Sequence, residues 1–290
     1  MPSPQAAEDD WSANYHRQVY GRLLLDLEAG EGDDERFIRL CRETGLWRDL
    51  ARRLLTMGRV DETADIAREQ DDPVLLYVAD LLVQEGHGSL AQTLVHERSR
   101  TSSGWHLESW LKNYAAASGD LTGALAIAER QFWQRPGQGS YQELRDLGRQ
   151  LGQWETQRGR ILARLGDQGE HELLTEIHLQ EGEPDRALEA LGPVLTSYWS
   201  GGELALRVAE AVAESRPRAA LTLYRQIAER SIRGRNRPSY ATAAHLLTRV
   251  RALYQQLDEP EAWQTYVEDL RQEHRRLRAF QDELNKAGIE

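Results

Sequence analysis

The chain has one cysteine, Cys41, in 290 residues. One thiol can form neither an intramolecular disulfide nor a thiolate zinc cluster, which removes both common staples of small core-poor domains. Long apolar runs are missing too. The longest nearly apolar stretch, Val74 to Val83, is interrupted by Asp80 and is far short of the roughly 20 residues that a membrane-spanning helix needs. The opening residues MPSPQAAEDD carry Glu8, Asp9 and Asp10 without an apolar core, the opposite of a secretory or transit signal. These absences are read as a cytoplasmic protein with no membrane segment, no metal and no other cofactor. No run alternates apolar and polar residues between hairpin-turn residues, so no strand is expected.

Hydrophobic residues make up 40% of the chain, enough to bury a core along most of its length. They recur at helical spacing. In Pro73 to Gln84, Val74, Leu75, Tyr77, Val78, Leu81 and Leu82 fall at three- and four-residue steps, with Asp71, Asp72 and Pro73 suited to a helix start. Ser118-Gly119-Asp120 closes one helix and offers Asp120 as the cap of the next, and Gly182-Glu183-Pro184-Asp185 repeats that grammar. The closing positions 58, 86, 119, 152, 182, 215 and 257 recur with a drifting period near 30, the signature of stacked helix pairs. The expected fold is all-α: a right-handed α-solenoid of about seven antiparallel helix hairpins. Its expected organisation is a disordered N-terminus over 1–10, an N-terminal helix and acidic linker over 11–35, a helical-repeat array over 36–237 and a C-terminal capping hairpin over 238–290. That hairpin is read as two long helices, Pro238 to Leu257 and Pro260 to Lys286.

The glycine-then-alanine pattern of Gly119 with Ala124-Leu125 and of Gly182 with Ala187-Leu188 resembles tetratricopeptide-like repeats, without their tryptophan and tyrosine positions. Arg235 to Tyr254 and Trp263 to Leu284 are similar to the C-terminal helical region of bacterial SWIM zinc-finger proteins. The finger itself, Cys-x-Cys followed by Cys-x-His, is absent. The resemblance implies a binding module that would carry the solenoid without its finger.

The net charge of −11 argues against coating nucleic acid along the whole chain. Locally the balance reverses. Residues 216–256 hold nine arginines against Glu229 alone, whereas residues 1–36 hold nine acids against Arg17, Arg22 and Arg36. Arginine forks take phosphate or carboxylate bidentately, so Arg230, Arg233, Arg235, Arg237 and Arg249 are candidates for binding a partner or phosphate. The same residues are equally well read as facing acids on neighbouring helices. Trp47, Trp110, Trp154 and Trp263 follow helical periodicity and read as core. Trp105, Trp133 and Trp199 fall at or beside expected loops and are candidate partner contacts.

Catalytic and metal patterns fail on spacing. His171 and His178 are seven apart, and the second position of a His-Glu-x-x-His helix is Thr175, so both histidines read as solvent-facing. Gly137-Gln138-Gly139-Ser140 lacks the third glycine or the lysine of a phosphate loop and reads as a connection with Ser140 as helix cap. Ile38, Cys41 and Leu46 share a helix face, which reads as a buried, inert thiol. The chain is therefore expected not to be an enzyme but a scaffold or adaptor for a protein partner. The alternative is a nucleic-acid-associated module using residues 216–256, working with a zinc-finger protein.

Overall fold

The computed structural model describes residues 34–102, 104–195 and 202–289. Among them are sixteen α-helices and no strand. They are α1 (Asp34–Thr44), α2 (Trp47–Thr56), α3 (Val60–Glu69), α4 (Asp72–Gln84), α5 (Gly88–Thr101), α6 (Trp105–Ala117), α7 (Leu121–Gln134) and α8 (Gln138–Gln150). There follow α9 (Trp154–Asp167), α10 (His171–Gln180), α11 (Pro184–Leu195), α12 (Gly202–Val212), α13 (Pro217–Arg233), α14 (Arg237–Gln256), α15 (Pro260–Glu273) and α16 (Arg278–Lys286). Residues 1–33 of the expected N-terminal segments and Trp199 lie outside the described residues, while Asp34 and Glu35, placed in the expected linker, form the first turn of α1.

The closing positions fall at the turns between α2 and α3, α4 and α5, α6 and α7, α8 and α9, α10 and α11, α12 and α13, and α14 and α15. The all-α hairpin repeat expected from the sequence is therefore the architecture of the chain. Five turns use a glycine with φ between 67° and 89°, a region where a Cβ meets the following carbonyl. At Gly182 the next amide, of Glu183, donates to the His178 carbonyl at 2.8 Å, satisfying an orphan acceptor of the helix end. The links after α1 and α9 have the same left-handed shape, at Gly45 and Gly169. There the sequence reading marked no closure.

The helices form two compact units, Met1–Trp133 and Gln134–Glu290. Within each unit successive helices pack on one another, and alternate helices also meet: α2 with α4, α4 with α6 and α3 with α5 in the first, α8 with α10 and α10 with α12 in the second. First helices thus form a layer in each unit, and in the first unit α3 and α5 begin a second layer. In the first unit Leu50 and Leu54 of α2 and Leu75, Val78 and Leu82 of α4 are sealed from water, each worth about 1.5–3 kcal/mol. The second unit has its own cluster, running from Ala187 to Ile289.

Helix ends are closed by expected and unexpected groups. Asp71 caps α4 through the Val74 amide at 3.1 Å, and Asp120 accepts from the Gly123 amide at 2.9 Å. Arg98 of α5 reaches the carbonyls of Ala67, Arg68 and Gln70 at 3.3, 3.0 and 2.7 Å and Asp72 at 2.8 Å. One guanidinium therefore ties the end of α3 to the hairpin that follows. Ser140 is not the cap expected of it: α8 starts two residues earlier, and the hydroxyl donates to the Gly137 carbonyl at 3.1 Å. The long last helix is broken at His274, and α16 turns back to pack on α14. This buries Phe280 and Leu284 completely, with Phe280 5.6 Å from the Tyr240 ring.

A stability contrast checks the turn geometry. Gly119 has φ 89° and open space where a Cβ would sit, so its constraint is purely conformational. Gly119→Ala should lose about 1–2 kcal/mol. Gly166, inside α9 with equally open space, should gain about 0.5–1 kcal/mol on change to Ala. Shifts of the urea midpoint in opposite directions are the expected result.

Candidate functional site

The basic segment is largely spent within the chain. Arg216 pairs with Asp185 at 3.0 Å, Arg218 with Glu259 at 2.5 Å and Arg237 with Glu283 at 3.0 Å. Arg225 stands 4.1 Å from the centre of the Tyr266 ring, and Arg251 donates to the Gly288 carbonyl at 2.9 Å. Arg230, Arg233 and Arg235 are exposed at the α13–α14 connection, where Arg235 takes φ 51°. Arg233 and Arg235 reach no carboxylate among the described residues. Arg249 is exposed on α14, close enough to the Tyr224 hydroxyl to act on it together with Glu210. It stands twelve residues beyond Arg237 on that helix, about 18 Å from the α13–α14 connection. Trp105 is 46% exposed at the start of α6. Trp133 is half-buried edge-on to Phe132, with ring centres 4.9 Å apart.

A second polar group was not legible in the sequence. Around the Gly182 turn, Arg158 of α9 donates to Glu181 at 2.7 Å and to Glu183 at 2.5 Å. Tyr141 of α8 donates to Glu181 at 2.9 Å, and His178 Nδ1 lies 2.8 Å from Glu183. His178 is buried, not solvent-facing as its spacing implied, because the short α10 is covered along more than one side. Burial alone would raise the Glu183 carboxyl, but the bonds from His178 and Arg158 outweigh it and hold the group below the usual carboxylate range. Burial opposes the charge on Arg158, while the two carboxylates favour it and prevail. Burial, then the bond to Glu181, pushes the Tyr141 hydroxyl up. The cluster joins the α8–α9 hairpin to the next one.

Cys41 is sealed beside Ile38 and Leu46, and burial, followed by Asp49, pushes its thiol up to about 12. Among the described residues no group of three or more His, Cys, Asp or Glu side chains is placed to hold a metal ion. No helix among them is long and apolar enough to cross a membrane.

Two surfaces of the first-helix layers stand out. In the second unit an open groove of about 590 Å³ is lined by Gln138 of α8, Leu179 and Gln180 of α10, and Arg207, Glu210 and Ala211 of α12. In the first unit Arg48 and Arg52 of α2 gather on Tyr77 of α4, and Trp110 of α6 stacks on Tyr114 and donates to Asp80 at 2.7 Å.

No family model matches the chain. It is 35% identical over 78 residues to the uncharacterized protein YwqB of Bacillus subtilis, a stretch equal to 27% of this chain and 15% of that one. It therefore spans about a seventh of that relative's length. Among solved structures it is similar to the TPR2AB-domain:pHSP90 complex of yeast Sti1, at 13% identity, covering 84% of this chain and 98% of that one, with a TM-score of 0.28. A de novo designed helical repeat protein, DHR64, covers 99% of this chain and 100% of its own at 15% identity, with a TM-score of 0.16.

The cluster at Gly182 gives a signed pH dependence. Because the folded Glu183 carboxyl is depressed, its stabilisation is present above its ordinary value of 4.5 and is lost as pH falls through the lower folded value. Wild type should exceed Glu183→Gln in urea midpoint at pH 7, and the gap should narrow below about pH 4.5. Arg158→Met, which leaves two carboxylates facing each other, should lose about 2–4 kcal/mol at neutral pH.

Proposed function

We propose that this chain is a non-catalytic scaffold that holds a protein partner against its first-helix layers. The groove of the second unit carries the reading. Three successive first helices line it, with apolar side chains from Leu179 and Ala211 and amides from Gln138 and Gln180. An amide side chain both donates and accepts, as does each peptide unit of a bound segment. The groove is open rather than enclosed, which suits a polypeptide better than a small molecule, whose sites enclose most of the ligand. Arg207 and Glu210 on the same wall offer one charge of each sign for orientation.

A second reading rests on Arg233 and Arg235, exposed at the α13–α14 connection and without a carboxylate among the described residues. It makes this end a phosphate contact, and the resemblance of the surrounding residues to SWIM-protein helices supports a zinc-finger protein as the companion on nucleic acid. It is the weaker reading, because five of the nine arginines of the segment are already engaged inside the chain.

Filling the groove separates the two. Ala211→Trp places a large ring on an exposed part of the groove and should abolish capture of the native protein partner without changing the melting temperature. Ala126→Trp, exposed on α7, should capture it as wild type does. Equal capture by both variants would rule the groove out. Retention on duplex DNA with a salt slope near −0.9 per phosphate neutralised, lost in Arg233→Glu/Arg235→Glu, would establish the second reading instead.

A further inference from the structure

We propose that Arg48, Arg52 and Tyr77 form a docking point for an acidic peptide segment of a protein partner, taking a carboxylate between the two guanidinium groups. The inference rests on the scaffold reading and names the chemistry that one of its surfaces recognises. Arg48 and Arg52 are one helical turn apart on α2, and both are exposed. Their guanidinium carbons lie 5.2 and 6.0 Å from the centre of the same Tyr77 ring on α4. Two like charges at this spacing repel, and the negative face of one ring offsets that only in part. An anion between them completes the balance.

The rest of the unit shows how unusual this is. Arg42, Arg53, Arg59, Arg68, Arg98 and Arg130 each meet a carboxylate. Neither Arg48 nor Arg52 reaches one among the described residues, and Asp49, between them in sequence, acts on the Cys41 thiol of α1. Among the described residues Arg39 and Arg100 also meet no carboxylate, but neither stands on an aromatic ring there. The Tyr77 hydroxyl oxygen accepts from Arg52, so its own proton remains to be donated. Two forks and a hydroxyl therefore gather at one ring with no carboxylate supplied by the described part of the chain, and such donors bind carboxylate through charge-assisted bonds.

Charge decides between peptide and nucleic acid. Asp80, one turn along α4 from Tyr77 and fixed by Trp110, would repel the next phosphate of a regularly charged strand, and two cations neutralise too few phosphates to hold one. A peptide can present one carboxylate to the arginines and an apolar neighbour to the stacked Trp110 and Tyr114 rings.

The test uses the full chain and a fluorescein-labelled peptide carrying glutamates among leucines and glycines, with its glutamine counterpart and a single-stranded oligonucleotide of equal charge as comparators. Anisotropy should show the glutamate peptide binding at least about tenfold more tightly than either comparator. Arg48→Gln and Arg52→Gln should each weaken it about tenfold, Tyr77→Phe by less, and all three should keep the wild-type circular dichroism. Equal affinity for the glutamine peptide, or no effect of either arginine change, would overturn the proposal. Equal affinity for the oligonucleotide would make the site one for phosphate and overturn it as well. If no acidic peptide binds while the native partner is still captured in a manner sensitive to Ala211→Trp, this inference falls and the scaffold reading stands. If that capture fails too, both fall.

Discussion

A helix hairpin cannot cover its own apolar face, and everything else in this chain follows from that constraint. Each helix here is nine to twenty residues long, too short for most to persist alone in water. Stability comes from the neighbours that seal side chains such as Leu54, Leu82, Val208 and Leu247. Stacking also fixes which surfaces stay open. First helices meet first helices in both units, and α3 meets α5 in the first, so the outward side of a first helix is left for other contacts.

Arginine performs much of the polar joining between hairpins. Arg98 closes the carbonyl end of α3, Arg158 grips both acids around Gly182, and Arg271 reaches Gln281 and Asn285 at 2.9 and 2.7 Å to hold α16 against α15. A planar five-donor fork suits this role, since the last carbonyls of a helix lack internal partners and a neighbouring hairpin can supply the donor. The concentrated charge of residues 216–256 is therefore mostly part of the fold. Its acids come from Asp185, Glu259 and Glu283, which lie outside the segment and so are invisible to a local charge count.

How legible each feature was depended on the range of the interaction behind it. The turns at Gly58, Gly86, Gly119, Gly152 and Gly182 were readable because a left-handed residue is a local requirement with a local solution. The break at His274 was not. Trp263, Val267, Leu270, Leu277, Phe280 and Leu284 fall at three-, four- and seven-residue steps and make one continuous helical stripe, and only the packing of Phe280 against Tyr240 shows that the chain turns back. His178 was misread because seven-residue spacing reveals a shared face but not what covers it. The clasp of Arg158 and the meeting of Arg48 with Tyr77 join residues 23 or more positions apart, so no motif announces them. For the candidate surfaces, composition pointed to arginine and to aromatic residues near loops, whereas packing selected different members of both classes.

The claim that stability is carried by contacts between neighbouring hairpins is tested most directly by residue-resolved hydrogen exchange on Leu82→Ala. Leu82 is fully buried in the cluster that runs from Ile38 to Leu111, and its truncation should cost about 2–5 kcal/mol. Exchange should accelerate from α2 to α6, while protection of amides in the cluster from Ala187 to Ile289 stays at wild-type values. Equal loss of protection along the whole chain would contradict the account, because it would mean that one global core, rather than neighbour-by-neighbour packing, holds the helices in place.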